Sequence, residues 1–233
     1  MTRPLLSELD QARIVQAVIE AERATAGEIH CVLAPEVAED SEIPLIWAVA
    51  AALALPALAL LAGFRPEMLT RLFGGWSVGH AAAQDGAILS ALLTYVGLQG
   101  ATFLAVALLV SLPSVRRALT PPNIKKARVR QAAMDYFLAK DLHRTRDRTG
   151  VLIFAALAEH RVEVIADEGI HAMAPDAPWN AVVEDLVAGL RRGAIADGFV
   201  EAIASAATIL AAHVPPRPDD LNELPDGLTI LPR

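Results

Sequence analysis

The chain predicts an α/β fold in which one globular domain is interrupted by a two-helix transmembrane hairpin. Three observations carry that expectation. Two apolar runs, Ile43 to Phe64 and Gly86 to Val115, contain no Asp, Glu, Lys or Arg. Strand-like segments lie on both sides of those runs, and so do amphipathic helical segments. Each run is long enough to cross the roughly 30 Å hydrocarbon layer that about 20 helical residues span. One charge at the centre of such a span costs about 2.5–3.5 kcal/mol, whereas buried core helices show shorter apolar runs of about 10–14 residues.

Taken in order, Ser7 with Asp10 three residues on forms a capping-box start. Ile14, Ala17, Val18 and Ala21 then recur on one face of an amphipathic helix, which Gly27 is expected to stop. Glu28 to Leu33 alternates, with Ile29, Cys31 and Leu33 on one side, the period of a strand that Pro35 ends. The spans are expected at about 43–64 and 86–113. Pro44 suits a first helical turn and Pro56 a mid-span kink. In the second span, Gly97, Gly100 and Ala101 form a small-residue face expected to let the two helices approach closely. The connector, with Gly74, Gly75, Trp76 and Gly79, reads as a short periplasmic loop.

After Pro121 and Pro122 a helix is expected from about Asn123 to Leu142, with Val129, Ala132, Ala133 and Tyr136 on one face. Val151 to Leu157 and Arg161 to Ala166 should pair as an antiparallel hairpin. Helices should follow over Trp179 to Arg192 and Ala194 to His213, broken at Gly193, while the tail from Pro215 is too rich in Pro and Asp to fold alone. A two-stranded sheet is marginal, so the strand before the spans is expected to join the hairpin after them. The predicted organisation is therefore residues 1–42 and 116–233 as one domain, with residues 43–115 inserted. Without its spans the chain keeps about 160 residues, enough for a single domain.

Hydrophobic residues make up 54% of the chain but aromatics only 5%, so Ala and Leu supply most of the apolar surface. The acidic start does not resemble a signal peptide, which leaves targeting to the first span. Basic residues follow the second span (Arg116, Arg117, Lys125, Lys126, Arg128 and Arg130), against only Arg65 and Arg71 in the connector. That asymmetry places both termini in the cytoplasm of a multi-pass inner-membrane protein, with the lipid bilayer itself as a partner. A single cysteine excludes an intrachain disulfide. The net charge of −7 gives no support for nucleic-acid binding.

The stretch RTRDRTGVLIFAALAEHRVEVIADEGI (Arg144 to Ile170) is followed by Trp179, by Gly198 to Ile203 and by Asn222 to Pro225. Together with the early Thr25 to Ile29, these segments resemble the TPM domain family. The resemblance implies a three-layer α/β/α sandwich with a small mixed sheet, usually tethered to a membrane. Some plant and cyanobacterial relatives are described as acid phosphatases linked to photosystem II repair, and calcium binding is described for others. Carrying the spans within the domain departs from those relatives.

Asp167 is expected at the carboxyl end of the last strand, where open α/β sheets bind ligands. Glu168 follows it, and Asp197 can add a carboxylate to the same rim. Such oxygen ligands suit Ca²⁺ or Mg²⁺; the alternative is that Asp167 caps a turn and Asp197 a helix. Arg144, Arg146 and Arg148, with His143, Thr145 and Thr149, can hold a phosphate. The alternative is a membrane-facing basic patch partly neutralised by Asp147. His30 and Cys31 are strand neighbours on opposite faces, which excludes a nucleophile and base pair. No P-loop, zinc-protease helix, nucleophile elbow or dinucleotide fingerprint occurs, and no catalytic residue is assigned. Two functions remain open: a cytoplasmic interaction or accessory module that binds a divalent cation and a membrane or cytoplasmic protein partner, and a metal-dependent acid phosphatase.

Overall fold

The computed structural model describes residues 5–37, 42–63, 85–174, 178–217, 223–224 and 227–232. The expected connector, including Arg65, Arg71 and Trp76, lies outside the described residues, as do Asn222 and Pro225. The chain divides into two compact units, Met1–Ala38 with Pro122–Arg233, and Glu39–Pro121.

In the first unit, α1 (Glu8–Glu22) starts where Ser7 caps it: the hydroxyl accepts from the Asp10 N–H at 3.1 Å and donates to the Asp10 carboxylate at 2.7 Å. The helix ends at Glu22, short of the expected stop at Gly27. Thr25 explains the difference, because its hydroxyl donates to the Val214 carbonyl at 2.5 Å and accepts from the Gly27 N–H at 3.1 Å. Side-chain bonds of this kind replace continued helix.

The mixed sheet has the order β3-β2-β1-β4, with β1 at Glu28–Ala34, β2 at Gly150–Ala156, β3 at Arg161–Ala166 and β4 at Leu228–Ile230. β1 runs parallel to β2 from Glu28 opposite Gly150 to Ala34 opposite Ala156, so the strand before the insertion does pair with the hairpin after it. β2 and β3 pair antiparallel as expected. β4 adds parallel to the other edge of β1, an element the tail's composition concealed.

Side chains alternate across the sheet. Ile29, Cys31, Leu33, Val151, Ile153 and Ala155 enter a core with α1, α6 (Glu168–Met173), α7 (Trp179–Arg192) and α8 (Ile195–His213). Val32, Ala34, Leu152, Phe154 and Ala156 pack on the opposite face against Val129, Ala133 and Phe137 of α5 (Pro122–Ala139). Helices therefore cover both faces. The α7 and α8 helices meet at Gly189 and Gly198, where a Cβ on Gly189 would stand 2.3 Å from the Gly198 Cα.

The second unit holds α2 (Glu42–Leu61), α3 (Asp85–Ser111) and α4 (Pro113–Leu119). Pro56 sits inside α2 without ending it. The second apolar run breaks at Leu112, where α4 begins, so α3 stops short of the expected 113. The α2 and α3 helices pack together, and the buried positions of α2 include Ala48 and Ala52, one turn apart. The expected close-approach face on α3 is not used: a Cβ on Gly97 or Gly100 would meet nothing within 4 Å. Small residues permit contact only where the helix phase turns them inward, and here Ala48 and Ala52 are the inward ones.

Among the described residues, three helices are long and apolar enough to cross a membrane: Pro44–Leu61, Leu92–Ser111 and Ile195–His213. Their surroundings differ, with 22%, 6% and 44% of the apolar window buried. The third is α8, whose Phe199, Ala202, Ile203, Ala206 and Leu210 lie in the sheet core.

Candidate functional site

Apart from Asp197, which lies in the first turn of α8 and so at the other end of that helix from Val214 and its Thr25 partner beside β1, the candidate residues gather at the end of the sheet where β1 and β2 begin and β3 finishes. The loop from His143 to Thr149 is held by its two buried threonines. The Thr149 N–H donates to the Thr145 hydroxyl oxygen at 2.9 Å, and the Thr149 hydroxyl donates to the Ala26 carbonyl at 3.1 Å. The Glu28 N–H then reaches the Thr149 carbonyl at 3.1 Å, which links the loop to the first residue of β1. Arg148 adopts a left-handed φ of 57° and turns the chain back.

Asp167 is fastened to the same end. Its N–H donates to the Gly150 carbonyl at 2.9 Å, and its carboxylate accepts from the Glu168 N–H at 2.7 Å as the N-cap of α6. The other oxygen, Oδ2, is buried and has no partner among the described residues. Gly169 lies so close to the loop that a Cβ there would stand 2.1 Å from the Asp147 carbonyl oxygen. Asp167 does stand at the carboxyl end of β3, but this is not the end of the sheet at which parallel strands bind ligands. Because β3 is antiparallel, its carboxyl end is the amino end of the parallel strands β1, β2 and β4, and the ligand rule concerns the carboxyl ends of parallel strands.

Each remaining candidate has a partner within the chain. Glu168 pairs with Arg148, and Asp147 with Arg217. The Arg144 Nε is 3.2 Å from Asp141, and the Arg146 N–H donates to Glu223 at 2.7 Å. Asp197 lies in the first turn of α8 and binds Arg13 of α1 at 2.6 Å, which raises the arginine pKa through that hydrogen bond and the charge beside it. Among the described residues, no three His, Cys, Asp or Glu side chains gather to hold a metal ion. Arg144 lines a cleft, about 270 Å³ in volume, bordered by Lys140, Asp141, Thr145, Glu223 and Leu224.

His30 and Cys31 do point to opposite faces. The His30 Nε2 lies 3.2 Å from both the Tyr136 hydroxyl of α5 and the Thr229 hydroxyl of β4, a buried link across three elements. The alternation of β1 foretold the direction of His30, but no sequence signal marked Thr229 as its neighbour. Cys31 is fully buried in the opposite core, and burial pushes its thiol pKa up.

These features define a class: a small mixed α/β sheet domain, covered by helices on both faces, with an apolar helix pair inserted between neighbouring strands. A family model described as the TPM domain matches residues 116–209 of the chain. The match takes in β2, β3 and the helices from α5 into α8, while α1, β1 and β4 lie outside it. Among solved structures, the chain is similar to the NMR structure of the BA42 protein from the psychrophilic bacterium Bizionia argentinensis. The TM-score is 0.55 at 17% identity, covering 99% of this chain and 98% of that one, a likeness of fold. The search of curated proteins found no match.

Proposed function

We propose that this chain is a TPM-domain protein anchored in the inner membrane by α2 and α3, with both termini cytoplasmic and the α/β domain acting as an interaction or accessory module. The observation that carries this reading is the insertion of two charge-free helices between β1 and β2, strands that neighbour each other in one sheet. A chain that leaves a sheet and returns to it must come back to the side it left, as two spans do and one does not. Leu53 and Leu58 of α2 and Leu104 and Leu108 of α3 are all more than half exposed, a surface suited to hydrocarbon and costly in water.

Impermeant thiol labelling of intact cells tests the topology. Ser77→Cys in the connector and Asp219→Cys in the tail both lie outside the described residues, and buried Cys31 keeps the background low. Ser77→Cys should label from outside and Asp219→Cys only after lysis; outside labelling of Asp219→Cys overturns the placement.

The module is a better reading than the phosphatase because Arg144 and Arg148 already face Asp141 and Glu168, so a phosphate would have to displace carboxylates. The cation part of the proposal centres on Asp167, whose buried Oδ2, without a partner among the described residues, is an oxygen that Ca²⁺ or Mg²⁺ would satisfy. Glu168 would have to leave Arg148 to join it, whereas Asp197, paired with Arg13 in the first turn of α8, stands a helix length away and takes no part. A thermal-unfolding titration with CaCl₂ and MgCl₂ should raise the midpoint for the native chain and not for Asp167→Asn. Turnover of a generic phosphate ester that depends on the metal and is lost in Asp167→Asn would replace the module by the phosphatase.

A further inference from the structure

We propose that the outward side of α5 lies on the anionic lipid surface of the membrane, an inference that rests on the anchoring by α2 and α3 proposed above. A helix that covers a sheet in water normally turns polar residues outward. The α5 helix does not. Its inner side meets the sheet through Val129, Ala133 and Phe137. The three-and-four spacing puts Ile124, Ala127, Gln131, Met134 and Leu138 together on the other side, and only Gln131 of these is polar. Ile124 is 37% exposed and Leu138 52%.

The cations of α5 stand beside that stripe. With about 3.6 residues per turn, Arg128 and Arg130 fall on its two flanks, and Lys125 and Lys126 lie farther round near the start of the helix. Asp135 is the one acid of the helix, and its carboxylate accepts from the Gln131 amide at 2.7 Å. An apolar side bordered by Lys and Arg is the pattern of a helix lying in the bilayer interface. There the apolar side sinks about 5–10 Å, to the boundary of headgroups and acyl chains, and the cations reach the lipid phosphates.

Charge and chain position both select lipid as the occupant. The α5 helix opens at Pro122, with only α4 between it and the apolar α3, which ends at Ser111. Its four cations therefore lie within about 20 residues of that helix end, the range over which basic residues act at a membrane surface. Each Lys or Arg near an anionic leaflet strengthens binding roughly fivefold. Arg130 also stands 3.9 Å from Glu163 of β3, so the two lysines are the cations to remove in a test.

The test is fluorescence quenching on the full-length protein in vesicles of mixed phosphatidylglycerol and phosphatidylcholine, or of phosphatidylcholine alone. A thiol-reactive fluorophore is attached at Ala127→Cys or Leu138→Cys on α5, at Leu104→Cys on α3 and at the exposed Glu184→Cys on α7, while native Cys31 is buried. In the anionic vesicles the α5 probes should be protected from acrylamide and quenched more by a shallow spin-labelled lipid than by a deep one. Leu104→Cys should show the reverse depth, and Glu184→Cys should stay open to acrylamide. The accessible fraction of the α5 probes should rise in neutral vesicles and in K125Q/K126Q, where the ratio of docked to free helix should fall at least tenfold. Two positions on α5 give a reading should one variant fail to fold. Accessible α5 probes beside a lipid-quenched Leu104→Cys overturn this proposal and leave the anchor standing. So does protection from acrylamide and lipid quenchers alike, which means that a second copy covers the stripe, and so does equal protection in both kinds of vesicle. A Leu104→Cys probe that no lipid quencher reaches overturns the anchor and this inference with it.

Discussion

Cys31 shows how a single residue can be read in two ways. A lone cysteine beside a histidine has the composition of a reactive pair, but strand alternation sends the two to opposite faces, and Cys31 ends with no exposed surface. Burial disfavours the thiolate and raises its pKa above the ordinary 9.0. The native chain should therefore be inert to a thiol reagent at pH 8 and react stoichiometrically once unfolded. The pH consequence follows in sign. The folded state holds a proton that the unfolded chain releases above its ordinary thiol pKa, so this contribution to stability is complete below pH 9 and falls above it. The limiting slope is about 1.4 kcal/mol per pH unit. Urea unfolding between pH 8 and pH 10, with Cys31→Ala as the control, measures it; identical pH profiles would refute the linkage.

At the scale of elements, the crossing of α7 and α8 has the least tolerance. Gly198 would place a Cβ 2.9 Å from the Gly189 Cα, and backbone cannot yield as a flexible side chain does. Gly198→Ala should force the helices apart and cost about 1–3 kcal/mol, as overpacking does, although alanine favours helix. A lowered thermal midpoint checks it; an unchanged or raised one would mean the crossing is loose. Helix periodicity located α7 and α8 well, because each has a broad apolar face and Gly193 takes the left-handed φ of 72° between them. It could not foresee that two glycines would meet, because each helix was read alone. The same limit explains α1. Its capping box is local and legible, whereas its early end depends on Val214, far along the chain, accepting from Thr25.

For the whole molecule, β4 is the element that composition hid. Its three residues sit in a stretch rich in Pro and Asp, and they become a strand only because β1 offers an open edge. The Cys31 N–H meets the Gly227 carbonyl at 3.4 Å, and the Leu231 N–H meets the Leu33 carbonyl at 3.0 Å. A chain ending at Asp226 loses those partners together with Thr229 beside His30. It should show faster amide exchange along β1 and a lower thermal midpoint, with each buried group left unsatisfied costing about 1–3 kcal/mol. Unchanged exchange at Cys31 would show that β4 contributes nothing to the sheet.

The sequence by itself determined the α/β class, the two apolar runs, the antiparallel hairpin and the direction in which each β1 side chain points. All of these follow from periodicity and charge within a few residues. Tertiary structure alone decided that β1 joins the hairpin through β2 and in parallel, that α8 packs its apolar face on a sheet while α2 and α3 leave theirs largely uncovered, and that the arginine loop is met by carboxylates. Those outcomes depend on which distant surfaces meet, and no local pattern records a neighbour more than a hundred residues away.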